Sequence, residues 1–158
     1  MSLKVRDVMV RNVITVDTDY SVKHAANIMN RMELGCLVVL QDGGIAGILT
    51  ERDMLRKIID EGRDPEKTLV WEIMTRPVIV VGPDMPLESA VRQMVKHRIK
   101  KLPVMERING EERLIGLVTL TDIARFQPKL IETLKELFNQ EREQPPKRME
   151  KVINYYVV

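Results

Sequence analysis

The chain has 158 residues, with 25 Lys and Arg against 23 Asp and Glu, which allows one ordinary domain or two very small ones and excludes a large multi-domain enzyme. Its composition, 44% hydrophobic and 30% charged, is typical of a soluble globular protein, and no apolar run reaches the roughly 18 residues that span a membrane. The lone Cys36 cannot form an internal disulfide and the N-terminus lacks a secretory signal, so we expect a cytoplasmic protein. Aromatic residues make up only 4%, which argues against a site built from stacked rings.

Most of the chain is an internal repeat. Residues 5–39 align with residues 70–104 at a constant offset of 65. After a four-residue insertion within the segment RINGEER, residues 47–54 align with residues 116–123 at an offset of 69. A duplicated unit tolerates an insertion that is confined to a Gly-containing turn. The sequence therefore predicts two copies of one unit.

The first copy predicts the element order β-α-β-β-α. The β-branched run VITV (13–16) predicts a short strand, and a helix follows Ser21, a typical N-cap residue. The apolar face of this helix consists of Val22, Ala25, Ala26, Met29 and Met32. The runs CLVVL (36–40) and IAGIL (45–49) predict two strands joined by the turn QDGG, and a second helix begins at Thr50.

The second copy repeats this order. VIVV (78–81) predicts its first strand, KLPVM (101–105) the next, and its last helix begins at Thr119. The helix between these strands has its own apolar face: Leu87, Ala90, Val91, Met94 and Val95. Because a unit of this size buries only about 60% of the surface of its unfolded chain, we expect neither copy to be stable alone. We predict that the two copies pack about a pseudo-two-fold axis.

These elements predict an α/β protein of the α+β type, with four segments. The first unit covers residues 1–61, a polar linker residues 62–69, the second unit residues 70–126, and a C-terminal extension residues 127–158. The extension begins with a helix after Pro128 and is interrupted by a pair of prolines. The apolar stripe of that helix consists of Leu130, Leu134, Leu137 and Phe138. We expect the extension to pack against the module or its dimer mate, or to dock on a partner protein.

The segments TERD (50–53) and TLTD (119–122) each follow a Gly-containing strand and open a helix. A threonine N-cap with an acidic residue three positions later matches a capping box, a common structural device. In the alternative interpretation, the helix N-terminus and the threonine hydroxyl bind a phosphate, while the aspartate accepts hydrogen bonds from a ribose. Ligands of this kind lie at strand-to-helix junctions in α/β folds.

Several of these features together resemble the cystathionine-β-synthase (CBS) domain, here as a tandem pair or Bateman module. They are the duplicated β-α-β-β-α unit, the openings VRDVM and VWEIM, the strand KKLPV, and the pattern G-h-h-T-x-x-D in both copies. The resemblance covers residues 5 to about 126. It implies a regulatory module that binds AMP, ADP, ATP, S-adenosylmethionine or a related adenosine compound in clefts between the copies and transmits occupancy to a partner. It also implies a homodimer that forms through helices.

The resemblance further implies which residues line these clefts. The aspartate of each T-x-x-D motif would hold the ribose, and the threonine and the residue before the aspartate would lie near phosphate. In this sequence these are Thr50, Arg52 and Asp53, and Thr119, Thr121 and Asp122. The first strand and the residues ahead of the second strand supply the rest: Thr15, Val16, Leu34, Gly35 and Cys36 in the first copy, and Val80, Val81, Ile99, Lys100 and Lys101 in the second.

The two copies differ in charge. Five basic side chains lie within residues 96–101 of the second copy: Lys96, His97, Arg98, Lys100 and Lys101. Lys96 and Arg98 fit the solvated C-terminal end of a helix. The resemblance places Lys100 and Lys101 at the cleft, where contact with phosphate is the alternative to a structural role. The hypothesis is therefore two unequal sites, of which the second prefers a ligand with more phosphate.

No sequence signature points to an enzyme, a catalytic cofactor or a metal site. The patterns G-x-S-x-G, GK[ST] and H-E-x-x-H are absent, and His24 and His97 lie in different copies. Two further functions stay open besides ligand sensing. The 96–101 basic cluster suggests nucleic-acid binding, although the net charge of +2 and the few aromatic residues argue against it. The 127–158 extension suggests an interaction adaptor.

Overall fold

The computed structural model describes residues 2–141 of the chain. The first copy contains α1 (Val5–Val8), β1 (Thr15–Asp17), α2 (Val22–Met32), β2 (Cys36–Gln41), β3 (Gly44–Thr50) and α3 (Glu51–Met54), which continues as a π-helical turn (Leu55–Ile59). The second contains α4 (Val70–Ile73), α5 (Leu87–His97), β4 (Lys101–Ile108), β5 (Glu111–Thr119) and α6 (Leu120–Phe126), followed by α7 (Lys129–Glu141). Mixed helices and short strands therefore make up the fold, as the repeat predicts.

The sheets of the two copies differ at the first strand. In the first copy β1 pairs in parallel with β2, which pairs antiparallel with β3. In the second copy the predicted strand at residues 78–81 is wrong, because only Val81 forms a bridge, to Val104. The Val81 N–H donates to the carbonyl of Pro103 at 3.0 Å, but Pro103 has no N–H to donate to Ile79, so the parallel ladder cannot extend. The observed β1 also begins two residues later than the predicted strand.

The hairpins explain the insertion in the second copy. Each closes with two central residues at positive φ, Asp42–Gly43 in the first copy and Asn109–Gly110 in the second, as a tight type I′ turn requires. The strands β4 and β5 have 8 and 9 residues, whereas β2 and β3 have 6 and 7. The insertion therefore adds two residues to each strand and leaves the residues at the base of the hairpin in equivalent positions.

The segment that opens each copy packs in the core of the other copy. Val5 and Met9, at the start of the first copy, are buried with Leu102 and other residues of the second copy. Conversely Val70 and Met74 are buried in the core of the first copy. The two cores thus exchange α1 and α4. Each copy alone would lack part of its apolar core, and this explains why the two copies pair about a pseudo-two-fold axis.

The helix faces follow the predicted pattern with one exception. All five predicted face residues of α5 are buried; in α2, Val22, Ala25 and Met29 are buried and Ala26 is half-buried. Met32 is 51% exposed because α2 ends there, at the left-handed C-cap Glu33, and its side chain no longer faces the core. In α7, Leu134 is buried against the second core and Leu130 packs beside it. The structure does not describe the side chains of Leu137 and Phe138, so their predicted contacts stay predictions. Pro145, Pro146 and the end of the chain also lie outside the described residues.

Candidate functional site

The first T-x-x-D motif forms a complete capping box. The Thr50 hydroxyl accepts a hydrogen bond from the Asp53 N–H at 3.2 Å and donates one to Asp53 Oδ2 at 3.0 Å. The Thr50 N–H donates to the same Oδ2 at 2.9 Å. The capping interpretation of this motif is therefore confirmed, and the Asp53 side chain is held in one orientation at the start of α3.

Two further donors contact the other oxygen of the Asp53 carboxylate. Thr75, which follows α4 of the second copy, donates from its hydroxyl to Oδ1 at 2.8 Å. Lys57 Nζ contacts the same Oδ1 at 3.3 Å and also donates to the carbonyl of Ile73 at 2.8 Å. Asp53 is only 6% exposed. This carboxylate therefore joins the two copies from a buried position.

The second motif is less constrained. The Thr119 hydroxyl accepts from the Asp122 N–H at 3.1 Å and donates to Asp122 Oδ2 at 2.7 Å. Among the side chains that the structure describes, no other donor contacts the Asp122 carboxylate, which is half-buried. The capping box is thus incomplete, because the Thr119 N–H does not bind Asp122.

At the pseudo-two-fold axis, Lys101 reaches from the second copy to predicted site residues of the first. Lys101 and Cys36 occupy equivalent positions in the repeat. A Cβ placed on Gly35 would lie 2.8 Å from Lys101 Nζ and 3.9 Å from the carboxyl carbon of Glu51. Burial raises the pKa of the Cys36 thiol, and the adjacent Lys101 ammonium partly offsets this rise. The thiol is therefore a buried, protonated group rather than a nucleophile.

A small apolar cavity lies between the two copies. Its volume is about 60 Å³, and it opens to solvent. Its lining is aliphatic except for one hydroxyl and one ammonium group: Ile48, Thr75, Val78, Ile79, Ile99, Lys101 and Pro103. Thr75 connects this cavity to Asp53, and Lys101 is the cross-strand neighbour of Thr119. The cavity is therefore one residue away from each Thr–Asp pair, and its aliphatic walls suit contact with a flat apolar ring.

The other predicted site residues are spread between core and surface. The side chains of Val16 and Val81 are buried in the two cores. Thr15 and Leu34 are half-buried, Val80 is 39% exposed, and Arg52, Lys100 and Thr121 are exposed. Their roles at a ligand stay predictions.

Sequence reasoning missed two donors to Asp53. Lys57 lies four residues after Asp53, a spacing that brings side chains together on a helix and could have revealed the ion pair. Thr75 gave no local signal, because it reaches Asp53 through the bridge that pairs Thr75 with Ile48 of the other copy. Val78 and Ile79 were placed in the predicted strand, whereas they line the cavity.

In the part of the chain that the structure describes, no group of three or more His, Cys, Asp or Glu residues is suited to hold a metal ion. None of the helices among residues 2–141 has the length and apolar character needed to cross a membrane.

Comparison with known proteins identifies the family. The family model for the CBS domain matches residues 5–60 and again residues 70–129. An uncharacterized protein of Methanopyrus kandleri is 35% identical over 136 residues, which cover 85% of this chain and 68% of that protein. The CBS domain-containing protein YhcV of Bacillus subtilis is 34% identical over 120 residues, 76% of this chain and 82% of YhcV.

A solved structure gives the same result. A conserved CBS-domain protein of unknown function from Thermoplasma acidophilum superposes with a TM-score of 0.76 at 26% identity and covers 91% of this chain and 79% of that one. The exchanged packing of the two copies and the paired Thr–Asp motifs agree with this similarity. The chain belongs to the CBS-domain family and carries two copies of the domain.

Proposed function

We propose that the protein is a regulatory module that binds an adenosine-containing nucleotide in the cleft between its two CBS domains. One observation carries this proposal: an aliphatic cavity between the copies is lined by Thr75, which binds Asp53, and by Lys101, which pairs with Thr119. The cavity would take the adenine ring, and a carboxylate with free lone pairs would accept the ribose hydroxyls. No aromatic stacking partner lines this cavity.

The phosphate end of the ligand would face the basic side chains of the second copy. Lys101 is half-buried at the cavity wall, and Lys100 is exposed beside it. A charge-assisted contact from Lys101 would strengthen with the number of phosphate groups. This supports the prediction that the site favours ATP over AMP, which Lys101→Met would test by lowering the affinity for ATP more than for AMP.

Regulation would follow from the exchanged cores. A ligand between the copies can favour one relative orientation only by binding it more tightly than the other orientation. Because Thr75 and Lys101 each contact the opposite copy, a nucleotide in this cleft would touch the interface that sets the orientation. Transmission to a partner protein is part of the proposal.

The proposal includes a homodimer formed through helices. Large apolar side chains on the helices of the first copy are exposed: Met32 at 51%, Leu55 at 62% and Ile59 at 71%. A second copy that covered them would bury this apolar surface. Light scattering that gives a monomer mass at micromolar concentration would overturn this part of the proposal.

A ligand panel tests the function itself. Thermal unfolding would be followed with AMP, ADP, ATP and S-adenosylmethionine, with GMP and GTP as matched controls that carry a different base. A ligand at 100 times its dissociation constant adds about 2.7 kcal/mol to the free energy of unfolding. We expect the melting temperature of the protein to be higher with at least one adenosine nucleotide than with the corresponding guanosine nucleotide. The absence of any shift at millimolar concentration would overturn the proposal and favour the adaptor.

A further inference from the structure

We infer that the module binds one nucleotide per chain, with its ribose on Asp122, and that Asp53 is closed to a ligand by Lys57 and Thr75. This inference rests on the proposed function and adds which of the two motifs takes the ligand. The two motifs occupy equivalent positions in the repeat, and both end in the same aspartate. The difference lies in what surrounds each carboxylate.

The Asp53 carboxylate has no lone pair to spare. An ionised carboxylate offers about four acceptor sites. Asp53 already accepts four hydrogen bonds, from the Thr50 N–H, the Thr50 hydroxyl, Lys57 Nζ and the Thr75 hydroxyl. A ribose diol would have to displace at least one of these donors from a buried carboxylate, and a displaced donor without a new partner costs free energy.

The Asp122 carboxylate, by contrast, has acceptor sites left for a ligand. It accepts one hydrogen bond from the described residues, from the Thr119 hydroxyl to Oδ2. Its Oδ1 accepts none from the side chains that the structure describes, and its own side chain is half-buried, so it is reachable from solvent. Two adjacent ribose hydroxyls can therefore bind this carboxylate without displacing a protein donor.

Two substitutions between the copies account for the difference. The position equivalent to Lys57 is Phe126, and the position equivalent to Thr75 is Val10. Val10 pairs with Leu117 just as Thr75 pairs with Ile48, so the backbone is alike and only the side-chain donors are missing. Phe126 and Val10 are 57% and 48% exposed. The second copy thus has apolar side chains where the first has an ammonium and a hydroxyl group.

The position of the cavity agrees with a ligand on Asp122 rather than on Asp53. Lys101, which lines it, is the cross-strand neighbour of Thr119. An adenine ring in this cavity can therefore belong to a nucleotide whose ribose lies on Asp122.

Isothermal titration of the full chain with AMP and with ATP tests the inference. We expect a stoichiometry of one per chain, and we expect Asp122→Asn to weaken binding at least about tenfold, as for a charge-assisted hydrogen bond. A stoichiometry of two would overturn the inference and leave the proposed function standing. No binding of either nucleotide would overturn both.

Reciprocal variants test the cause. The double variant Val10→Thr/Phe126→Lys supplies Asp122 with donors equivalent to those of Asp53 and should weaken nucleotide binding at least about tenfold. The matched control Val10→Ile/Phe126→Leu adds no donor and should keep a stoichiometry of one. Lys57→Met/Thr75→Val frees Asp53 and should raise the stoichiometry to two. Unchanged binding in the donor-adding variant, with both proteins folded by circular dichroism, would overturn the inference.

Discussion

Met9 at the start of the first CBS domain lies directly over Gly116 in the last strand of the second. A Cβ on Gly116 would come within 2.5 Å of Met9 Sδ and 3.1 Å of the Val10 carbonyl oxygen. The equivalent pair, Met74 over Gly47, repeats this geometry with 2.6 Å to Sδ and 3.1 Å to the Thr75 oxygen. A side chain at either position would displace a buried methionine of the opposite copy.

Alanine at either glycine should therefore destabilise the fold. Gly116→Ala or Gly47→Ala overpacks a buried contact between the copies, which costs about 1 to 3 kcal/mol. Urea denaturation would measure the loss. Gly82→Ala is the matched control, because Gly82 has ordinary backbone angles and no atom within 4 Å of an added Cβ. If Gly82→Ala lowered the free energy of unfolding as much as Gly116→Ala, the result would contradict this explanation.

Lys57→Met should lower the free energy of unfolding by about 1 to 3 kcal/mol, because it leaves a buried carboxylate with one donor fewer. Lys57 contacts Asp53, whose side chain is 8% exposed. Arg92→Met is the matched control: the pair Arg92–Glu88 has the same i,i+4 spacing but both side chains are more than half exposed. A pair of that kind contributes about 0.3 to 0.5 kcal/mol. Equal losses in the two variants would contradict the assigned role of Asp53.

The Cys36 thiol should react slowly with iodoacetamide in the folded protein. Burial raises its pKa, and the Lys101 ammonium partly counteracts this effect, so Lys101→Met should raise the pKa further and slow alkylation at a given pH. Rates measured from pH 7 to 10 for both proteins would show the profile shifted to higher pH in the variant. Lys96→Met, at an exposed position, is the control. A shift to lower pH in Lys101→Met would contradict the assignment.

Leu134→Ala should destabilise the second core by about 2 to 5 kcal/mol, because Leu134 is 6% exposed and packs in that core. Thermal or urea unfolding measures the change, and Lys135→Ala, at an exposed neighbouring position, should have little effect. A neutral Leu134→Ala would show that α7 does not contribute to the module and would strengthen the case for a separate docking segment.

The sequence predicted the repeat, its element order and both Thr–Asp motifs because these depend on local patterns: apolar spacing, turn residues and N-caps. It failed where the outcome depends on a distant neighbour. The strand at residues 78–81 is absent because Pro103 across the ladder has no N–H to donate. Met32 has a helical apolar spacing but lies at the end of α2, where no core covers it.

By itself, the sequence determined that two copies of one unit pair and that both carry the same Thr–Asp motif. Only the tertiary structure decided that the copies exchange α1 and α4, which places Thr75 beside Asp53 and Val10 in the equivalent place near Asp122. The physical reason is that a carboxylate's capacity to bind a ligand depends on how many donors already contact it. One of those donors, Thr75, is distant from Asp53 in the chain, so equal motifs acquire unequal hydrogen-bond environments.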